Sequence, residues 1–134
     1  MLKKIDHIGI AVKNIEQAAK LYTDVMGLKL DEVEVLEAVG VKIAMIPVGD
    51  SNIELVEPMR PDSGIGKYVE KYGEGLHHMA FEVDDIDAAL AALKANNIPL
   101  VDETPRGGSN GSRIAFLDAA GANQVSIELV ELRK

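Results

Sequence analysis

The chain is written twice. With His7 set over His78, HIGIAVKNIEQAAKL lies over HMAFEVDDIDAALAA; His, Val, Ile and one Ala are identical and the apolar positions largely match. The pentapeptide IELVE occurs at 53–57 and again at 127–131, 74 positions later, and neither copy lies in a low-complexity tract. Internal duplication in a chain of 134 residues restricts the architecture to two like modules that share a core.

Each copy reads as a strand followed by a helix. Asn14 and Asp85 stand at N-cap positions, where a side-chain oxygen accepts from a free helix amide. Gln17, three residues after Asn14, has capping-box spacing. Ile15, Ala18, Ala19 and Tyr22 recur with helical period, as do Ile86, Ala89, Leu90 and Leu93. Gly27 is expected to end the first helix, and Asn97 with Ile98-Pro99 the second. Three strands are expected after each helix: 28–36, 41–48 and 52–57, then 98–102, 112–118 and 124–132. The pattern predicts two βαβββ modules, 1–58 and 75–134, within a single domain spanning 1–134. A connector at 59–74 joins them and carries a short helix near 65–72. One module alone has an open sheet edge and too little core. The expected fold class is therefore α+β, with the two modules pairing into a curved, barrel-like mixed sheet whose helices cover the convex face.

Strand alternation sorts the polar residues. His7, Gly9 and Ala11 share one face of the first strand; His78, Ala80 and Glu82 share one face of the fifth. Glu54 and Glu128, second in each IELVE, oppose its Ile and Leu. Both His and both Glu residues are thus expected on the concave side, away from the helices. His7 precedes Glu54 by 47 residues and His78 precedes Glu128 by 50, the near-match that a duplicated half-site requires. Taken singly, a strand His is ordinarily a hydrogen-bonded structural residue and a strand Glu a solvated one. The repeated set of four is what points to one divalent metal ion per chain. Two nitrogen and two oxygen donors suit cobalt, zinc, nickel or manganese, and two buried carboxylates repel strongly without a cation between them. His77 falls on the opposite side, and Glu57 and Glu131 are expected at strand ends in water.

A net charge of −8 argues against a nucleic-acid partner. No apolar run approaches the roughly 20 residues that span a bilayer, so no membrane partner is expected. The absence of cysteine excludes disulfides and thiolate metal sites, and the expected location is the cytoplasm.

Longer segments carry a resemblance. They are IDHIGIAVKNIEQAAKLY, IELVEPMRPDSGIGKYVEKYGEGLHHMAFEVDDIDAAL, DETPRGGSNGSRIAFL and VSIELVE, which together cover nearly the whole chain. Through them the sequence resembles the vicinal oxygen chelate superfamily, which includes glyoxalase I, extradiol dioxygenases and bleomycin-resistance proteins. Within it the closer resemblance is to the methylmalonyl-CoA epimerases; the connector with PDS, followed by GEGLHHMAFEVDDI, discriminates best. The resemblance implies metal ligands at His7, Glu54, His78 and Glu128. It also implies a 1,1-proton transfer on an acyl-CoA, methylmalonyl-CoA, through an enolate, with Glu128 as one acid–base group. A homodimer is expected. In the loop RGGSNGS, backbone amides can receive an anion; Asn110, Ser112 and Arg113 are read as substrate-binding, and Arg106 also flanks the loop. Ile43 stands where several epimerases carry a third-strand Glu, and Asp118-Ala119-Ala120 where many carry His-Pro-Lys. The alternatives are a glyoxalase I-like lactoylglutathione lyase and a non-catalytic small-molecule-binding member of the superfamily.

Overall fold

Asn14 and Asp85 begin their helices as the repeat requires. The computed structural model describes residues 1–133. In it Asn14 Oδ1 accepts from the Gln17 amide at 2.9 Å and Asp85 Oδ1 from the Ala88 amide at 3.0 Å. The first half runs β1 (Leu2–Ala11), α1 (Ile15–Lys20), β2 (Glu32–Leu36), β3 (Val41–Val48) and β4 (Ser51–Pro58). A wider turn at Leu21–Val25 extends α1. The chain leaves it through Gly27, whose φ of +79° is costly for a residue with a Cβ. After α2 (Gly64–Tyr72), the second half runs β5 (Gly75–Val83), α3 (Ile86–Ala95), β6 (Arg106–Gly107), β7 (Arg113–Phe116) and β8 (Ile127–Glu131). Each half is βαβββ, with strand order β2-β3-β4-β1 in the first and β5-β8-β7-β6 in the second. Both contain a parallel central pair, β1 with β4 and β5 with β8, flanked by antiparallel neighbours. No helix among the described residues is long and apolar enough to cross a membrane.

Contacts divide the chain into two compact units, His7–His77 and Met1–Asp6 with His78–Lys134. In the first, Val12, Ile15, Ala19, Ala44, Ile46 and Leu55 form a core between α1 and one sheet face. The other face carries Ala11, Val41, Ile43 and Val56 against Ile65 of α2. In the second unit, Val83, Ile86, Ala89, Leu90, Ala115 and Leu129 pack between α3 and the sheet. Ala80, Ile114 and Val130 cluster on the opposite face, with Phe116 against them. The IELVE leucines, Leu55 and Leu129, therefore belong to the helix-side cores.

Two expectations change. The strand expected at 98–102 is reduced to one bridge, Leu100 with Leu117, and the edge strand forms at Arg106–Gly107 instead. Pro99, inside the expected strand, lacks the amide that a ladder needs. The trailing glutamates do not sit in water. Glu57 Oε1 accepts from the Ile15 amide at 2.7 Å, and Glu131 Oε2 from the Ile86 amide at 2.9 Å. Each last strand thus lends a carboxylate to the free N-terminal amides of its own module's helix, where the helix dipole favours negative charge. This ties strand to helix in both repeats and accounts for the fifth letter of IELVE. Glu57→Ala should lower unfolding stability by about 1 kcal/mol in chemical denaturation, with the folded spectrum kept; an unchanged midpoint would mean that water replaces the carboxylate.

Candidate metal and substrate site

The parallel pairs set the polar residues in equivalent places. Across β1 and β4, Gly9 is the register partner of Glu54; across β5 and β8, Ala80 is the partner of Glu128. In each case a small residue, two positions after the histidine, lies opposite the carboxylate. His7 and Glu54 share the face that carries Ala11, Ile43 and Val56, and His78 and Glu128 the face that carries Ala80, Ile114 and Val130. Both faces are the ones opposite α1 and α3. His7 Nε2 lies 3.5 Å from Glu54 Oε2, and His78 Nε2 lies 3.2 Å from Glu128 Oε1. All four side chains are buried, at 3, 5, 6 and 5% exposure for His7, Glu54, His78 and Glu128.

Burying four ionisable groups is costly unless charge is paired or a metal is coordinated. Each unit thus carries a buried imidazole nitrogen beside a carboxylate oxygen, donors that can hold a metal ion. The donors fit in kind: imidazole nitrogen and carboxylate oxygen are ligands that divalent transition metals take.

The second half-site has an aromatic wall that sequence reading did not single out. Phe116 meets the His78 ring edge-on, with centroids 5.5 Å apart. Its amide donates to Asp102 Oδ2 at 2.9 Å, and the Arg106 guanidinium stands 5.7 Å over its ring. Alternation along the seventh strand placed Phe116 on the His78 side, which was the available signal. Ser112 is buried at the start of that strand and donates to the Ser109 carbonyl at 2.8 Å, closing the glycine loop. Asn110 adopts a left-handed φ of +54°, which suits Asn in a tight turn. A Cβ on Gly108 would meet the Ile114 side chain at 2.6 Å and the Ser112 hydroxyl at 2.8 Å, so a larger residue there would force these neighbours to shift.

Arg113 lies elsewhere. Its guanidinium bonds Asp87 of α3 at 3.1–3.2 Å and Glu131 at 3.2 Å, on the helix-bearing side of the sheet. Asp87 first, and Glu131 second, hold its pKa above the usual arginine value. The structure does not bring it together with the His78–Glu128 pair. Glu82 has the parity of His78 but is drawn to Lys3 at 3.6 Å. His77 packs edge-on against Tyr68, away from His78 along the strand alternation. Ile43 is buried in the α2-side core, and Asp118 caps the turn at Ala119–Gly121 by accepting from the Ala120 amide.

The family model of the Glyoxalase/Bleomycin resistance protein/Dioxygenase superfamily matches residues 6–116. The chain belongs to this superfamily. It is 39% identical to the Bacillus subtilis protein YqjC over 97% of this chain and 93% of the relative. Among solved structures, methylmalonyl-CoA epimerase from Mycobacterium tuberculosis is 35% identical with a TM-score of 0.95, over 99% of this chain and 90% of that one. A Streptomyces coelicolor methylmalonyl-CoA epimerase in complex with 2-nitronate-propionyl-CoA is 38% identical with a TM-score of 0.94, over the full length of both chains. The fold is the superfamily's: an eight-stranded mixed sheet to which two βαβββ modules contribute, as the duplication predicted.

Metal-depleted protein titrated with cobalt or zinc should saturate near roughly one equivalent per chain, read by calorimetry. His7→Ala and His78→Ala should each weaken that binding by about 10-fold or more; uptake unchanged in both variants would remove the two histidines from the ligand set.

Proposed function

We propose that this chain is a methylmalonyl-CoA epimerase that works by 1,1-proton transfer. One observation carries the reading: the buried His–Glu pair occurs twice, His7 with Glu54 and His78 with Glu128, in a chain similar over its whole length to epimerases of known structure. One of those relatives binds an acyl-CoA analogue, which supports a CoA thioester as the substrate class.

The reacting carbon of methylmalonyl-CoA lies between a thioester carbonyl and a carboxylate. Loss of its proton leaves charge that spreads onto oxygen, and return of a proton to the opposite face inverts the centre. His7, Glu54, His78 and Glu128 would hold the metal, with cobalt, zinc, nickel and manganese all suited to the donor set. When bound, a divalent ion supplies Lewis-acid stabilisation of negative charge on oxygen. Glu128 takes the α-proton at a carboxylate oxygen. The His78 Nε2 lies 3.2 Å from its Oε1. Ala80, Ile114, Val130 and Phe116 keep its side of the sheet apolar, where electrostatic interactions act with little screening. Ile43 is aliphatic, so β3 contributes no proton-transfer group at that position and the second transfer falls to another group. Ser112 and Asn110 shape the loop that receives the thioester's polar atoms. The working form is a homodimer in the cytoplasm; exposed apolar side chains such as Val33 and Val35 support a partner surface.

In deuterium oxide, metal-loaded enzyme should exchange the α-proton of methylmalonyl-CoA and interconvert its epimers, followed by mass spectrometry and chiral analysis. Absence of exchange, together with turnover of the methylglyoxal–glutathione adduct, would replace this reading with the lyase. Glu128→Gln should lower the exchange rate by about 10²–10⁴-fold; full activity in that variant would exclude Glu128 as the proton carrier.

A further inference from the structure

The two arginines that flank the glycine-rich loop have different surroundings. Arg113 is consumed by two carboxylates, Asp87 and Glu131, on the helix side. Arg106 meets one carboxylate through one nitrogen, its Nε lying 3.2 Å from Asp102 Oδ1. The other oxygen of Asp102 accepts the Phe116 amide, so this carboxylate is fixed to the strand and fixes the guanidinium in turn. Among the described residues, no ion pair involves either terminal nitrogen of Arg106, and its side chain is 42% exposed. The guanidinium lies over Phe116, and Phe116 lies against His78. A positive charge therefore stands one aromatic ring away from the His78–Glu128 pair, in a chain of net charge −8. Beside it, the space that a Cβ on Gly107 would enter is open for 4 Å, which leaves room for a ligand to approach.

A guanidinium anchored through Nε presents its two terminal amino groups as a planar fork, which matches the paired oxygens of a carboxylate or phosphate. We infer that Arg106 is the residue that binds an anionic group of the acyl-CoA, and so selects for charged thioesters; this rests on the epimerase reading. Two sources offer that chemistry, the malonyl carboxylate and the phosphates of the CoA moiety. Asp102 and Phe116 are positioning residues that aim the fork.

The test compares the full-length protein with Arg106→Gln and Arg106→Lys by calorimetry, using two probes. Coenzyme A carries the phosphates without the malonyl carboxylate; methylmalonyl-pantetheine carries the carboxylate without the phosphates. Arg106→Gln should weaken binding of one probe by about 10- to 100-fold, the range of a hydrogen bond to a charged group, with an unchanged melting temperature. Arg106→Lys should recover part of the loss. Weakening confined to coenzyme A assigns the phosphates, and weakening confined to the pantetheine thioester assigns the carboxylate. In steady-state assays KM for methylmalonyl-CoA should rise by a similar factor while kcat changes little. Equal binding of both probes by the variant and the unaltered protein overturns the inference, as does binding of neither probe by the unaltered protein. A fall in kcat at constant KM also overturns it, because Arg106 would then act through Phe116 on His78. A protein that binds the probes through Arg106 yet exchanges no α-proton would retain this inference and lose the epimerase reading.

Discussion

A carboxylate buried beside an imidazole on two adjacent parallel strands is the constraint on which the rest depends. His7 and Glu54, and again His78 and Glu128, need a register that sets each glutamate opposite a small residue, Gly9 or Ala80. A slip of one residue would turn the carboxylate into the apolar core beneath the helix and expose Leu55 or Leu129 on the other face. The hydrophobic pattern and the polar pair therefore specify the same register. Neither α1 nor α3 could cover its sheet face if the strands paired otherwise.

The second carboxylate of IELVE strengthens that agreement. Glu57 and Glu131 reach the first amides of α1 and α3, on the same side of the sheet as Leu55 and Leu129. One five-residue segment thus sends a glutamate to the polar site and another to a helix terminus, with leucine between them in the core. The two roles demand opposite parity, and their spacing of three residues provides it. This is a physical reason for both copies to keep all of these letters, beyond the reason to keep a ligand.

Chemistry is distributed unevenly over the two modules. The face that carries His7 and Glu54 also carries the apolar side chains Ala11, Ile43 and Val56. Beside His78 and Glu128 stand an aromatic ring, an arginine and a glycine-rich loop. Duplication kept the His–Glu pair and let the surroundings diverge.

By itself the sequence determined the duplicated βαβββ order, the caps at Asn14 and Asp85, the side of each strand that carries His and Glu, and the family. The order, the caps and the strand faces follow from local periodicity, from spacing and from residue chemistry that needs no distant partner; the family came from the resemblance of longer segments. Tertiary structure decided the rest. Whether Glu57 meets water or the Ile15 amide depends on where a strand end lies relative to a helix 42 residues away in sequence. Which carboxylates meet Arg106 and Arg113 is decided by the packed chain, because Asp102 and Asp87 come from separate segments. The edge strand at Arg106–Gly107 likewise replaced the more apolar stretch at 98–102, where Pro99 removes a ladder amide that hydrophobicity does not register. Alternation can place a side chain on a face, but its partners are brought there by the packed chain.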